Sequence, residues 1–149
     1  MTRPLILLTT DFSDAARRAY APTAELAARL GASVLLAHVV EVASVAPHGA
    51  PLAPVQVPPD TDVLVREAEA RLVEEARGIQ GVEGGVETLV RVGGAPAEAI
   101  ARIAEERSAS WVAISTHGRT GLRRLVLGSV TEELVRRSPV PVICFPPAD

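Results

Sequence analysis

The chain contains no lysine: every one of its 15 basic side chains is arginine. A lysine-dependent P-loop, a Schiff base and a catalytic lysine are therefore excluded. The single cysteine, Cys144, can form neither an internal disulfide nor a Cys-Cys zinc site, which fits a reducing compartment and the expectation of a cytoplasmic protein. No apolar run is long enough to cross a bilayer, and the short one near the start, Leu5 to Leu8, carries no cleavage-site pattern. There is no Gly-x-Ser-x-Gly nucleophile elbow, and neither His38 nor His117 has a third imidazole or carboxylate at metal-ligand spacing. A net charge of −3 without a clustered basic excess gives no broad attraction to polyanions, so neither nucleic acid nor a membrane is expected as a partner.

What is present fits one domain over residues 1–149, since 149 residues with 48% hydrophobic content can bury one core. Leu5 to Thr9 is a continuous apolar run of the kind buried on both faces of a parallel sheet, and Ser33 to Val40 is a second. Between them the spacing of Ala16, Ala19, Tyr20, Thr23, Ala27 and Leu30 predicts one helix from Asp14 to Leu30, with Ser13 as N-cap and Gly31 as the stop. Residues 41–60 hold five of the 12 prolines (Pro47, Pro51, Pro54, Pro58, Pro59) and read as a surface loop, either a plain insertion or a lid over a ligand. Leu64, Ala68, Leu72 and Ala76 then mark a helix before Gly78. Val86 to Val92 is the third strand, Pro96 opens a helix with Ala99, Ile100, Ile103 and Ala104 on its apolar face, and Trp111 to Ser115 is the fourth strand. A last helix, Ser129 to Arg137, precedes a fifth strand, Val140 to Phe145, whose Pro141 argues for a sheet edge. This alternation specifies an open, doubly wound α/β fold with a five-stranded parallel sheet, expected in the order 3-2-1-4-5, and helices on both faces.

In such sheets ligands bind beyond the carboxyl ends of the strands where the strand order reverses, which selects Thr10-Asp11-Phe12 and the segment from Ser115 to Gly128. The second of these carries Gly118, Gly121 and Gly128 with Arg119, Arg123 and Arg124, and opens a helix at Ser129. Backbone amides, a helix N-terminus and arginine forks all suit phosphate. Competing readings stand beside this one. Ser129 with Glu132 forms a Ser-x-x-Glu capping box that any helix could use, Arg123 and Arg124 could be solvated surface, and His117 could pack a loop or donate to phosphate. Asp11 could accept from a ribose or join the shell of a magnesium ion, or could cap the following helix. Cys144, inside an apolar strand, reads as a buried, inert thiol.

Thr10-Asp11-Phe12-Ser13 after the first strand, His38-Val39-Val40 ending the second, Gly94-Ala95-Pro96 before the third helix, and Thr116-His117-Gly118 to Gly128-Ser129 together resemble the universal stress protein family over almost the whole chain. The resemblance implies a five-stranded parallel sheet, a homodimer formed through Val140 to Phe145, and ATP binding, for which magnesium, reached through Asp11, is a candidate companion ion. The family motif is glycine, two residues, glycine, nine residues, then glycine and serine or threonine. Gly118 and Gly128 match its second and third glycines and Ser129 follows, but Ser115 stands in place of the first. If that position needs a positive φ, serine carries strain of roughly 1–3 kcal/mol; if φ is ordinary, serine can add a hydrogen bond. By resemblance Asp11 contacts ribose or adenine, Val39 lines the adenine pocket, and Gly118, Gly128, Ser129 and Val130 hold phosphates. The candidate cofactor-binding set is completed by Thr9, Thr10, Ile114, Ser115, His117, Arg119 and Thr131, with no catalytic residue and no dedicated metal ligand. The function so implied is an adenine-nucleotide-binding stress-response sensor or regulator with at most weak ATP hydrolysis. The alternative is a non-binding member of the same fold that acts through protein partners.

Overall fold

Leu5–Thr9 (β1) is the centre of the sheet, and its alternate residues face two different helical layers. The computed structural model describes residues 3–42, 60–117 and 127–146; the proline-rich segment expected over 41–60 falls almost wholly outside them, as do Gly118 and Arg119. Beside β1 lie Ser33–Val40 (β2), Val86–Val92 (β3), Trp111–Ser115 (β4) and Val142–Phe145 (β5). All neighbours are parallel and the order is β3-β2-β1-β4-β5, as the sequence leads one to expect. Ile6, Leu8, Val34 and Leu36 point into one core, while Leu7, Leu35 and Val112 point into the other. Burial on both faces is what the unbroken apolar runs require.

The first core is closed by α2 (Tyr20–Leu30), which follows the short α1 (Asp14–Arg17), and by α3 (Thr61–Gly78), the second by α4 (Pro96–Glu106) and α5 (Ser129–Arg137). Ser13 caps α1 by accepting the Ala16 amide at 3.1 Å, and Gly31, at φ 60, ends α2 in the left-handed region. The single helix expected from Asp14 to Leu30 is instead two, separated at Arg18 and Ala19. Pro22 is the reason: it has no amide to donate to the carbonyl of Arg18 and its ring crowds that carbonyl, so it is accommodated in the first turn of a new helix. Leu30, expected on the buried face, is exposed at the end of α2.

In α3 only Ala68 and Leu72 are fully buried, with Leu64 and Ala76 packed at the margin. All four apolar positions anticipated for α4 are buried, and Pro96 sits in its first turn. β5 begins at Val142 rather than Val140, because Pro141 has no amide for the ladder and contributes only its carbonyl, which accepts from Val112 at 3.0 Å. Its edge position is as expected.

Candidate functional site

The carboxyl ends of β1, β2 and β4 open into one cavity of about 680 Å³, at the point where the strand order reverses. One wall is the turn after β1. Thr10 is tied to β2 by its amide, which donates to the Ala37 carbonyl at 2.9 Å. Its hydroxyl accepts the Phe12 amide at 3.0 Å, and the Asp11 carboxylate accepts the Ser13 amide at 2.9 Å. These bonds bend the chain so sharply that Phe12 takes φ 64, a left-handed conformation unusual for a bulky residue and costing about 1–3 kcal/mol. Packing holds it there: the Phe12 ring lies 4.3 Å from that of His38, and the Arg71 guanidinium stands 4.4 Å from the Phe12 ring centre. His38 Nδ1 is 2.8 Å from the Thr10 carbonyl, which can only accept, so that nitrogen carries the proton.

The opposite wall is built from the end of β4 and the start of α5. Thr116 is fixed to β5 through its amide, which donates to the Phe145 carbonyl at 2.9 Å, and its own carbonyl accepts the Gly128 amide at 2.8 Å. The two ends of the intervening segment are thus pinned together. The Thr131 hydroxyl adds a buried bond to the Ser115 carbonyl at 3.1 Å. Ser115 closes β4 and is absent from the positive-φ residues of the described chain; its hydroxyl donates to the His117 carbonyl at 3.0 Å. Of the two outcomes left open for serine in the motif, the structure selects ordinary φ with an added hydrogen bond.

The capping box expected from Ser129 and Glu132 does not form. Gly128 occupies the N-cap position without a side-chain cap, Ser129 is the first helical residue, and Glu132 pairs with Arg136 one turn on. Intrahelical bonding starts where the Glu132 amide donates to the Gly128 carbonyl, so the ladder of α5 supplies no acceptor for the amides of Ser129, Val130 and Thr131. These amides belong to residues that line the cavity, and together with the positive end of the helix dipole they suit an anion. His117 Nδ1 lies 2.9 Å from the Thr116 hydroxyl, while its Nε2 is buried with no hydrogen-bond partner among the described residues.

Thr9, Thr10, Asp11, Val39, Ile114, Ser115, His117, Gly128, Ser129, Val130 and Thr131 therefore all line the same cavity. Gly118 and Arg119 lie outside the described residues. Sequence reasoning missed Phe12 as a strained, packed element and missed Arg71 and Glu67 of α3, which border the cavity. Periodicity assigns those α3 residues to a solvated face, and only the closeness of α3 to the β1 turn reveals them. Among the described residues no group of three or more His, Cys, Asp or Glu side chains is placed to hold a metal ion, and no helix is long and apolar enough to cross a membrane.

Comparison with known proteins agrees with this architecture. A relative from Methanocaldococcus jannaschii, a universal stress protein, is 27% identical over 148 residues, covering 93% of this chain and 91% of its own. The universal stress protein UspA from Lactobacillus plantarum superposes with a TM-score of 0.75 at 23% identity, over 97% of this chain and 99% of that one, a likeness of fold. The universal stress protein from Archaeoglobus fulgidus in complex with dAMP superposes with a TM-score of 0.65 at 26% identity, over 96% and 97% of the two chains. The model of the universal stress protein family matches residues 3–146, and with that span, the strand order and the cavity at its switch point in agreement, the chain belongs to the universal stress protein family.

Proposed function

We propose that this protein binds an adenine nucleotide, ATP with magnesium, in the cavity at the switch point, and acts as a stress-response sensor or regulator rather than as a fast enzyme. The observation that carries the reading is the placement of Asp11 and the first turn of α5 on opposite walls of one cavity of about 680 Å³, a volume in the range of nucleotide-sized pockets. A carboxylate on one side suits ribose hydroxyls, and unladdered amides on the other suit phosphate. The Nε2 of His117, buried and without a partner among the described residues, adds a polar atom whose burial costs about 1–3 kcal/mol unless something bonds to it. Val39 and Ile114 give apolar wall for a base. That the Archaeoglobus fulgidus relative holds dAMP supports an adenine ligand here.

A magnesium ion accompanying the nucleotide would offset phosphate charge, and Asp11 is the residue that would help to hold it. β5 is one of the two edge strands among the described residues and its residues are half-buried, which supports pairing of two copies through that strand. Isothermal titration of the purified protein with ATP and magnesium tests the nucleotide reading: saturable heat is expected, and no binding at millimolar ligand overturns it. Sedimentation velocity tests the dimer, whose mass is twice the 15.6 kDa of the chain.

A further inference from the structure

Beneath the turn after β1 runs a chain of polar side chains of which only the first, Thr10, borders the nucleotide cavity. The Thr10 hydroxyl, which holds the Phe12 amide, lies 2.6 Å from the Tyr20 hydroxyl of α2. The same phenol meets the carboxylate of Glu75 on α3, and Glu75 Oε1 receives Arg17 Nε at 3.0 Å and Nη2 at 2.6 Å. Only 10% of the Glu75 side chain is exposed. A phenol has one proton and a carboxylate paired with arginine only accepts, so the phenol proton goes to Glu75 and the Thr10 hydroxyl gives its own to the phenol oxygen. Thr10 Oγ1 is thereby oriented with a lone pair toward the Phe12 amide. Burial of Tyr20, and then its bond to Glu75, push the phenol pKa up and keep it a donor.

We propose that Tyr20 and Glu75 are positioning residues for the nucleotide site, acting through Thr10 to hold the strained turn that presents Asp11; this rests on the nucleotide reading above. Neither side chain borders the cavity that Asp11 faces, so any effect on binding must pass through the turn. The turn needs such support because Phe12 at φ 64 gives it a tendency to relax, and the relay holds Thr10 through its hydroxyl as the Ala37 bond holds it through its amide. α3 supports the same turn a second time, one helical turn earlier, where Arg71 covers the Phe12 ring and approaches Glu75 at 4.0 Å.

The test is Tyr20→Phe, which keeps the ring and removes the hydroxyl, read by two measurements well below the melting temperature. ATP-magnesium titration is expected to give roughly three- to tenfold weaker binding, the value of one lost net hydrogen bond. Hydrogen exchange is expected to speed up at the Phe12 and Ser13 amides and to stay at wild-type rates at Ile6 to Leu8. Glu75→Gln, which keeps a carbonyl acceptor for the phenol, is expected to lose less affinity than Glu75→Ala. A lowered melting temperature in Tyr20→Phe with unchanged affinity overturns the proposal. A wild-type protein that gives no heat with ATP overturns the nucleotide reading instead, and unchanged exchange at Phe12 and Ser13 in Tyr20→Phe would then overturn the relay independently.

Discussion

Replacing Gly128 by alanine tests the anion wall of the site directly. Its φ of −56 suits any L-residue, so what the position demands is room and not backbone freedom. A Cβ there would stand 3.2 Å from the Thr116 carbonyl oxygen, the same atom that accepts the Gly128 amide at 2.8 Å. Thr116 cannot retreat, because its amide is bonded to Phe145 at 2.9 Å. Residue 128 must therefore shift outward and stretch its own hydrogen bond. Overpacking and the weakened bond together cost about 1–2 kcal/mol. For a chain of this length that lowers the melting temperature by about 2–8 °C. If the displaced first turn of α5 carries the phosphates, ATP binding weakens by roughly five- to thirtyfold. Differential scanning calorimetry and ATP titration on Gly128→Ala, with the larger Gly128→Val beside it, read the two effects separately. Wild-type melting and wild-type affinity in Gly128→Ala would refute the packing argument. A lower melting temperature with unchanged affinity would leave Gly128 as a staple only and remove the α5 N-terminus from the ligand.

Ser115→Gly, which restores the family motif, is expected to weaken rather than improve the protein by about 1 kcal/mol in urea unfolding, because it deletes the bond to the His117 carbonyl and adds chain entropy at a residue with ordinary φ. Tighter ATP binding in that variant would contradict the reading. Ile103→Ala, in the wholly buried face of α4, is expected to cost about 2–5 kcal/mol in the same assay. Burial pushes the Cys144 thiol pKa up, so at pH 8 native protein should be alkylated more slowly than urea-unfolded protein; equal rates would show that β5 leaves the thiol accessible. Chelating magnesium with EDTA is expected to weaken ATP at least tenfold and adenosine monophosphate far less, since the extra phosphates need the counter-ion. Equal effects on the two ligands would remove the metal from the site.

The fold was legible because both faces of the sheet are buried. Unbroken apolar runs such as Leu5 to Thr9 and Ser33 to Val40 then mark strands directly, and the helices between them show a 3.6-residue spacing. The failures were local. Pro22 was absorbed into a long helical pattern, although the position of a proline decides whether it kinks a helix or starts one. The capping box was read from spacing alone, whereas the Gly128 to Thr116 bond places Ser129 one residue inside the helix. The walls of the site were legible where a strand end or a glycine marks them. Tyr20, Arg71 and Glu75 were not, because their roles arise from the packing of α2 and α3 against the β1 turn, and helical periodicity carries no trace of such a contact.

The charges facing the cavity bear on how a triphosphate would be received. Among the described residues that border it, Asp11, Glu41 and Glu67 are acidic and only Arg71 is basic. Arg71 is turned toward Phe12 and Glu75, so it neutralises the turn rather than a ligand. Among the described residues, the Asp11 side therefore supplies no arginine beyond Arg71 to a ligand's phosphates. The amides of Ser129 to Thr131 and the α5 dipole provide about half a positive charge at the other wall. Arg119, Arg123 and Arg124 belong to the segment that leaves at His117 and returns at Leu127, between two ends pinned by the Thr116 to Gly128 bond. On the proposed nucleotide reading, base and ribose would fall to the acidic, preorganised wall and phosphate to the wall at the start of α5. Such a division would make affinity depend on the number of phosphates and on magnesium, which is the dependence a sensor of adenine-nucleotide state requires.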